Sequence, residues 1–283
     1  MYYIPSEHGT HQIRCIVFEP RYGPSSPSKT KPRPLHFTVH GGAFLPAVAE
    51  QNADIAHRIC NETGAVVVSV QYRGAPRYAY PAAHDDVDDA LAYFLTPTAV
   101  GKFNLDPNNI TISGLSAGVN LGLSAAQKYP GKIKAAVSWC GAVDLRLPPW
   151  EKPKPAGFPK SDPLAFMLPL FDAYVAAERE KYKNDPRLHV ILASVDKLPT
   201  DMLFLIPMVD ILLHEETEFV NRLKKETEGT DRRIEGVFYE GELHGFPELA
   251  GIVSDFKKAE DSFQRAIKFL KGSNEKGGWK WDS

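Results

Sequence analysis

Residues 109–128 are NITISGLSAGVNLGLSAAQK, in which a strand pattern leads into GxSxG and then into a helical pattern. A sharp strand-to-helix turn would hold Ser116 in a strained backbone conformation with its hydroxyl clear of the sheet. The flanking Gly114 and Gly118 would let neighbouring chain pass close to the turn. The alternative is a glycine-rich turn that only joins two elements. The segment therefore favours an α/β fold with a candidate nucleophilic serine.

The same alternation of strand and helix extends along most of the chain. Short apolar runs bounded by turn residues alternate with helical spacing, which predicts a mostly parallel sheet flanked by helices. The predicted strands are residues 13–18, 35–39, 65–70, 109–113, 133–139, 202–208 and 234–239, and the predicted helices are residues 54–60, 82–95, 117–128, 215–225 and 253–270.

One stretch, at about residues 148–186, interrupts this rhythm. It begins with PPWEKPKPAGFPKSDP and continues into an apolar segment at residues 164–177. An insertion of this size on an α/β core is typically a lid or cap over a site, and the alternative is a solvated excursion with one packed helix. We expect residues 1–283 to form a single domain that carries this insertion as its cap.

A serine hydroxyl needs a base and an orienting acid before it is a useful nucleophile at neutral pH. His244 lies in YEGELHGF, on a loop after a late strand, and therefore at the same edge of the sheet as Ser116. Asp210 ends the apolar run MLFLIPMV, where a carboxylate is costly to bury without a partner. The alternatives are a surface histidine and an aspartate that caps the next helix.

A second glycine motif follows the strand at residues 35–39. His40 is followed by Gly41, Gly42 and Ala43, and two adjacent glycines at a strand end let backbone N–H groups turn toward a substrate oxygen. Together with the N–H of Ala117, such donors would form an oxyanion hole, in which one donor is typically worth about 2.7–4 kcal/mol of barrier lowering. A plain tight turn is the alternative.

Composition excludes several other classes of protein. The chain has 283 residues, 43% of them hydrophobic and 24% charged, with a net charge of −2. This balance leaves no basic surplus for nucleic acid, and no apolar run approaches the length of a membrane span. The N-terminus has no secretory-signal pattern.

The three cysteines of the chain are too few and too far apart for a disulfide framework or a metal site; they are Cys15, Cys60 and Cys140. A cytoplasmic globular protein is expected.

Four segments together resemble the hormone-sensitive-lipase-like carboxylesterases of the α/β-hydrolase superfamily. They are VHGGAF at 39–44, QYRGAPRYAYPAAHDDV at 71–87, SGLSAGVNLG at 113–122 and FYEGELHGF at 238–246. The order serine, acid, histidine is also that of α/β-hydrolases. By this resemblance Ser116 is the nucleophile, His244 the base and Asp210 the acid. The same resemblance makes Gly42, Ala43 and Ala117 the oxyanion donors, with Gly41 shaping the loop.

The sequence departs from the family pattern in three places. Leu115 replaces the usual aspartate of GDSAGG, and Val119 replaces its third glycine. Asp210 is followed by ILLHE where the family has PLRDE. Only about 40 residues precede HGG, so the cap is expected to come from residues 148–186 alone.

These features predict a serine hydrolase that cleaves short acyl or aryl esters through an acyl-enzyme, without a metal or organic cofactor. Lactone opening, amide hydrolysis, acyl transfer and elimination at the same site are alternatives, and a non-catalytic ligand receptor is a further one. The partner is a small ester rather than a nucleic acid, and a homodimer is left open. Five aromatic residues are candidates to line the pocket, with packing in the core as the alternative for each: Phe44, Trp150, Phe158, Phe166 and Phe246.

Overall fold

An eight-stranded sheet forms the centre of the computed structural model, which describes residues 1–21, 30–160, 165–252 and 254–281. In spatial order the strands are β1, β2, β4, β3, β5, β6, β7 and β8. Only β2 runs antiparallel to the other strands. The strands are β1 Tyr2–Pro5, β2 Gln12–Phe18, β3 Arg33–Val39, β4 Val66–Val70, β5 Leu105–Leu115, β6 Ile133–Trp139, β7 Asp201–Val209 and β8 Arg233–Leu243.

Helices cover both faces of the sheet. α1 and α7 pack together on one face, while α2, α3, α4 and α6 contribute to the apolar cluster on the other. The helices are α1 Ala53–Thr63, α2 Ala82–Phe94, α3 Pro97–Phe103, α4 Ala117–Ala126, α5 Leu168–Asp172, α6 Leu213–Glu226 and α7 Phe256–Lys276.

The inner strands are apolar because both of their faces are covered. Every residue of β3 and β4 is buried, which explains why β4 has the nearly continuous apolar sequence VVVSV instead of an alternating pattern. Side chains of one strand alternate between the two apolar clusters: Val66 and Val68 lie in one and Val67 in the other.

The strand order brings the candidate site to one edge of the sheet. β4 and β5 lie on opposite sides of β3, so the chain changes direction across the sheet at this point. In open α/β sheets, ligands bind outside the carboxyl ends of the strands at such a switch point. Gly41 follows β3 and Ser116 follows β5, so both border this crevice.

The predicted α/β architecture is confirmed, with differences at particular elements. Two short elements, β1 and α3, are absent from the prediction. The Thr96 hydroxyl caps α3 by accepting a hydrogen bond from the Ala99 amide, and Pro97 follows it. Threonine followed by proline is a common helix start, so the sequence does contain a signal for α3. The helix predicted at 253–270 begins at Phe256, and Val253 lies outside the described residues. So do residues 22–29 of the loop before β3.

The segment at 148–186 contains little regular structure. In the described part of its apolar stretch, residues 165–177, the α-helical residues are the five of α5. Pro169 lies in the first turn of α5, which is where a helix tolerates proline. Residues 161–164 lie outside the described part of the chain.

Candidate active site

Ser116 lies at a strained turn between β5 and α4. Its backbone has φ +52° and ψ −118°, values that a non-glycine residue adopts only when its surroundings enforce them. A Cβ at Gly114 would lie 2.4 Å from the carbonyl carbon of Gly118, and one at Gly118 would lie 2.1 Å from the carbonyl oxygen of Val39. Both flanking glycines are therefore required by close approach of the backbone, as the sequence suggests.

Ser116, His244 and Asp210 form a continuous chain of hydrogen bonds. His244 Nε2 lies 2.8 Å from Ser116 Oγ, and His244 Nδ1 lies 2.6 Å from Asp210 Oδ2. An imidazole that donates from Nδ1 to the carboxylate leaves Nε2 free to accept the serine proton. The three residues come from the ends of β5, β7 and β8, and the fold brings all of them together.

Asp210 does not cap α6, the alternative that the sequence left open, because the N-cap residue is Leu212 and it has no side-chain cap hydrogen bond. Asp210 Oδ1 accepts a hydrogen bond from the backbone N–H of Leu212 at 3.0 Å, just before α6 begins, and its carboxylate is buried. Burial is the largest single influence on His244 and lowers its pKa, but the Asp210 carboxylate, with smaller contributions from Glu248 and Glu215, raises the pKa above 6.5 overall. One carboxylate thus both fixes the turn and holds the imidazole.

The loop after β3 presents unpartnered backbone donors beside Ser116. Gly42 and Ala43 line the same cavity as Ser116, and Gly42, Ala43 and Phe44 all have positive φ angles. Within the described part of the chain, the N–H groups of Gly42, Ala43 and Ala117 have no hydrogen-bond acceptor. The first N–H groups of a helix, such as that of Ala117 in α4, lack an intrahelical partner. These donors can stabilise negative charge on a substrate oxygen.

His40 and Tyr72 support this loop from beneath. The Tyr72 hydroxyl lies 3.1 Å from the carbonyl oxygens of both His40 and Gly41, and His40 Nδ1 lies 2.8 Å from the Gly41 carbonyl oxygen. The two rings stack with centroids 4.2 Å apart. Burial lowers the pKa of His40 to about 4, so its imidazole is neutral and donates from Nδ1. Tyr72 was not singled out from the sequence, although it lies in the QYRGAP segment.

Gly41 has a steric role in the same loop. A Cβ there would lie 2.7 Å from Leu115 Cδ2 and 3.0 Å from the Leu115 carbonyl oxygen. The loop and the serine turn can therefore approach each other only with glycine at position 41. The aspartate that the family usually has in place of Leu115 is absent, and a leucine side chain packs against the loop instead.

Two buried glutamates at the start of α6 fix the neighbouring turn after β6. Glu215 accepts from the Val143 and Asp144 amides at 2.9 and 3.0 Å and forms an ion pair with the buried Lys152 of the 148–186 segment. Burial raises the pKa of Glu215 to about 7 despite this pairing. Glu216 accepts from the Gly141 amide at 2.7 Å, and burial raises its pKa well above its ordinary value.

An apolar cavity of about 280 Å³ opens in front of Ser116. Its described walls carry both the hydrogen-bonded residues and large apolar side chains. The apolar lining residues are Leu115, Phe158, Met167, Leu168, Phe171, Val209, Ile211, Leu212, Leu243 and Leu249.

Only Phe158 among the five candidate pocket aromatics lines this cavity. Phe44 and Phe246 are fully buried in the core, Phe44 stacked on Tyr174 with ring centroids 4.4 Å apart. Trp150 and Phe166 are exposed to solvent. Core packing was the stated alternative for Phe44 and Phe246, whereas the exposure of Trp150 and Phe166 agrees with neither possibility. A sequence does not show which face of a loop turns inward. Phe171, on α5, lines the cavity instead.

Possible metal ligands and the three cysteines lie elsewhere in the described part of the chain. No cluster of three or more histidine, cysteine or acidic side chains there could hold a metal ion. Cys15, Cys60 and Cys140 are buried free thiols, and burial raises their pKa values. None of the described helices is long and apolar enough to cross a membrane.

Comparison with known proteins agrees with this architecture. A family model for the alpha/beta hydrolase fold matches residues 36–248. The chain belongs to the α/β-hydrolase family. This α/β-hydrolase is 35% identical over 173 residues to arylacetamide deacetylase of Oryctolagus cuniculus, a match that covers 57% of the chain and 42% of that protein. The chain thus spans less than half the length of that relative.

Two further comparisons cover more of this α/β-hydrolase. An esterase of Gibberella moniliformis is 27% identical over 250 residues, covering 82% of the chain and 75% of that protein. A hyperthermophilic esterase of Pyrobaculum calidifontis has a TM-score of 0.78 and 26% identity, covering 96% and 82% of the two chains. The resemblance to the hormone-sensitive-lipase-like branch is thereby confirmed.

Proposed function

We propose that this chain is a carboxylic ester hydrolase with Ser116 as nucleophile, His244 as general base and Asp210 as orienting acid. The observation that carries the proposal is the hydrogen-bond chain from Asp210 through His244 to Ser116, which ends at the wall of an apolar cavity. Esterases among the relatives support the reaction class.

The geometry supports the following course of reaction. His244 Nε2 takes the Ser116 proton as Oγ attacks the ester carbonyl carbon, and Asp210 stabilises the imidazolium that forms. The N–H groups of Gly42, Ala43 and Ala117 hold the oxyanion. His244 then gives its proton to the alcohol oxygen as the carbon–oxygen bond breaks. Water, deprotonated by the same histidine, hydrolyses the acyl-enzyme and restores Ser116.

The cavity supports a small ester as substrate. A volume of about 280 Å³ with mostly apolar walls suits a short acyl or aryl ester better than a long-chain lipid. Amide hydrolysis at the same site is a second candidate, which the similarity to arylacetamide deacetylase favours. Turnover of p-nitroacetanilide compared with p-nitrophenyl acetate separates the two reactions.

We also propose that residues 148–186 form the cap of a single domain. Phe158, Met167, Leu168 and Phe171 from this segment line the cavity, and Lys152 ties the segment to Glu215. A cytoplasmic location and a homodimer remain proposals from the sequence alone.

The test is hydrolysis of p-nitrophenyl acetate, butyrate and octanoate by wild type, Ser116→Ala and His244→Ala. Each variant should lose about a thousandfold or more in kcat/KM, because serine and histidine act as one unit. The exposed Ser194→Ala and His57→Ala are matched controls that should keep wild-type rates. Turnover by wild type that equals the Ser116→Ala background would contradict the proposal.

A further inference from the structure

One polar pair interrupts the apolar wall of the active-site cavity. Gln51, just before α1, donates from Nε2 to both carboxylate oxygens of Glu248 at 3.3 Å. These two residues, with Leu115 and Leu249, also line a second cavity of about 490 Å³ that lies beside the first. The Glu248 carboxylate is therefore reachable from both spaces.

The Glu248 carboxylate has no cation in direct contact among the described residues, and His244 acts on it only through a longer-range charge interaction. The ionisable side chains of the described cavity wall are Asp210, His244 and Glu248. The Asp210 carboxylate is already hydrogen-bonded to His244. In the described part of the chain, no lysine, arginine or histidine lies within ion-pair distance of Glu248. Arg58, on α1, already pairs with Asp54 and Glu260 at 3.1 and 2.7 Å.

The surroundings of Glu248 favour a positively charged occupant. Glu248 is exposed to solvent, yet desolvation by the protein still raises the pKa of its carboxyl. The Gln51 amide orients the carboxylate but adds no charge. A cavity wall whose ionised groups are carboxylates, and which holds no fixed cation, attracts cations and repels anions.

The position of Glu248 on the chain relates it to the alcohol part of an ester substrate. Glu248 follows His244 by four residues on the same loop, and the leaving alcohol must lie on the histidine side because His244 Nε2 protonates its oxygen. The Gln51 side chain borders the oxyanion loop, since its Oε1 would lie 4.0 Å from a Cβ at Gly42. The Gln51–Glu248 pair therefore lies in the same wall as the base and the oxyanion donors, within reach of a charged group on an alcohol that leaves beside His244.

We propose that Glu248, oriented by Gln51, is a specificity-determining residue that binds an ammonium group carried by the alcohol part of the substrate. The preferred substrates are then short acyl esters of small amino alcohols, with Leu115 and Leu249 in contact with the alcohol's methylene groups. This inference rests on the proposed ester hydrolysis and adds no chemical step to it: the ester bond breaks, and the amino alcohol leaves with the proton from His244.

The test compares two esters that differ only in charge. Butyrylcholine and 3,3-dimethylbutyl butyrate have the same shape, with nitrogen in one replaced by carbon in the other. Wild type should prefer the choline ester by kcat/KM, and Glu248→Gln should lower the ratio of choline to neutral ester about three- to tenfold. Glu228→Gln removes one exposed carboxylate just beyond the carboxyl end of α6 and should leave the ratio unchanged.

A binding measurement separates this inference from the proposed function. Choline should raise the melting temperature of wild type more than 3,3-dimethylbutanol does, and Glu248→Gln should abolish that difference whether or not the enzyme turns over esters. Equal ester ratios in wild type and Glu248→Gln, or equal stabilisation by the two alcohols, would overturn the inference. If wild type fails to hydrolyse p-nitrophenyl esters but is still stabilised more by choline than by 3,3-dimethylbutanol, only the proposed function is overturned.

Discussion

At the scale of single residues, the site depends on which groups are charged. The buried His40 is kept neutral and holds the oxyanion loop, whereas His244 gains affinity for a proton from Asp210. Two imidazoles within one crevice therefore have pKa values shifted in opposite directions. The one beside the serine is suited to proton transfer, and the other to a fixed hydrogen bond.

The first prediction concerns the pH dependence of hydrolysis. His244 must be neutral to accept the serine proton, and its pKa is raised above 6.5, so kcat/KM should rise with pH and reach half its maximum above pH 6.5. The Glu248 carboxylate is one cause of this raised pKa, so Glu248→Gln should move the midpoint to lower pH. The pH profile of p-nitrophenyl acetate hydrolysis measures both.

Glu228→Gln is the control for that profile and should leave the midpoint in place. A wild-type midpoint below pH 6.5 would contradict the raised pKa of His244. A midpoint that is identical in wild type and Glu248→Gln would show that the Glu248 charge does not reach the imidazole.

At the scale of elements, the contact between the end of β3 and the start of α4 positions the site. Gly118, in the first turn of α4, touches the backbone of Val39 and His40, whose chain continues into the oxyanion loop. The serine turn and the oxyanion loop are therefore held at a fixed separation by backbone contact, which side-chain motion cannot alter.

The second prediction is that Gly118→Ala is strongly destabilising. Its Cβ would lie 2.1 and 2.5 Å from the carbonyl oxygens of Val39 and His40, so the helix or the strand must shift. We expect a loss of about 3 kcal/mol in the free energy of unfolding, or failure to fold, together with loss of esterase activity. Urea unfolding followed by circular dichroism measures the stability.

Gly101→Ala, within α3, is the matched control. Outside the backbone of α3 and the two chain neighbours, no atom of the described residues lies within 4 Å of a Cβ at that position, and alanine in a helix should stabilise the protein by about 0.5–1 kcal/mol. If Gly118→Ala unfolds at the same urea concentration as wild type, the close approach of α4 to β3 is not a constraint in solution.

At the scale of the whole molecule, a buried ion pair joins the 148–186 segment to the core. Lys152 and Glu215 are both buried, and Glu215 also receives two amide hydrogen bonds from the turn after β6. A buried ion pair contributes little net stability, but removal of one partner leaves the other charge buried without compensation, which is strongly destabilising. Loss of either charge is therefore expected to weaken the contact that joins this segment to the core.

The third prediction is that Lys152→Met destabilises the protein by about 3–5 kcal/mol in a pH-dependent way. The pKa of Glu215 is about 7 in the folded protein, above its ordinary 4.5. The stabilisation by its protonated form is therefore present at low pH and is lost as the pH rises through 7. Without Lys152 that pKa rises further, so the loss in melting temperature should be larger at about pH 8.5 than at about pH 6.

Lys154→Met, on the exposed side of the same segment, should leave the melting temperature near that of wild type. A deficit for Lys152→Met that is the same at both pH values would show that the Glu215 charge is not what the lysine compensates.

The sequence by itself determined the sheet-and-helix alternation, the serine turn, the glycine loop and the three residues of the hydrogen-bond chain. These features depend on local sequence or on the order of strands and helices along the chain. The glycines at 114 and 118 indicate a tight turn from the local sequence alone, and residues that follow parallel strands meet at one edge of the sheet. Ser116, Asp210 and His244 could therefore be predicted to lie close together.

Only the tertiary structure decided what surrounds that chain of residues. The pairs Gln51–Glu248 and Lys152–Glu215 join positions 197 and 63 residues apart, and no periodicity links them. Phe44 and Phe246 turned into the core while Phe158 and Phe171 faced the cavity. Inward and outward orientation on irregular segments follows from the packing of many side chains at once, and that packing exists only in the folded molecule.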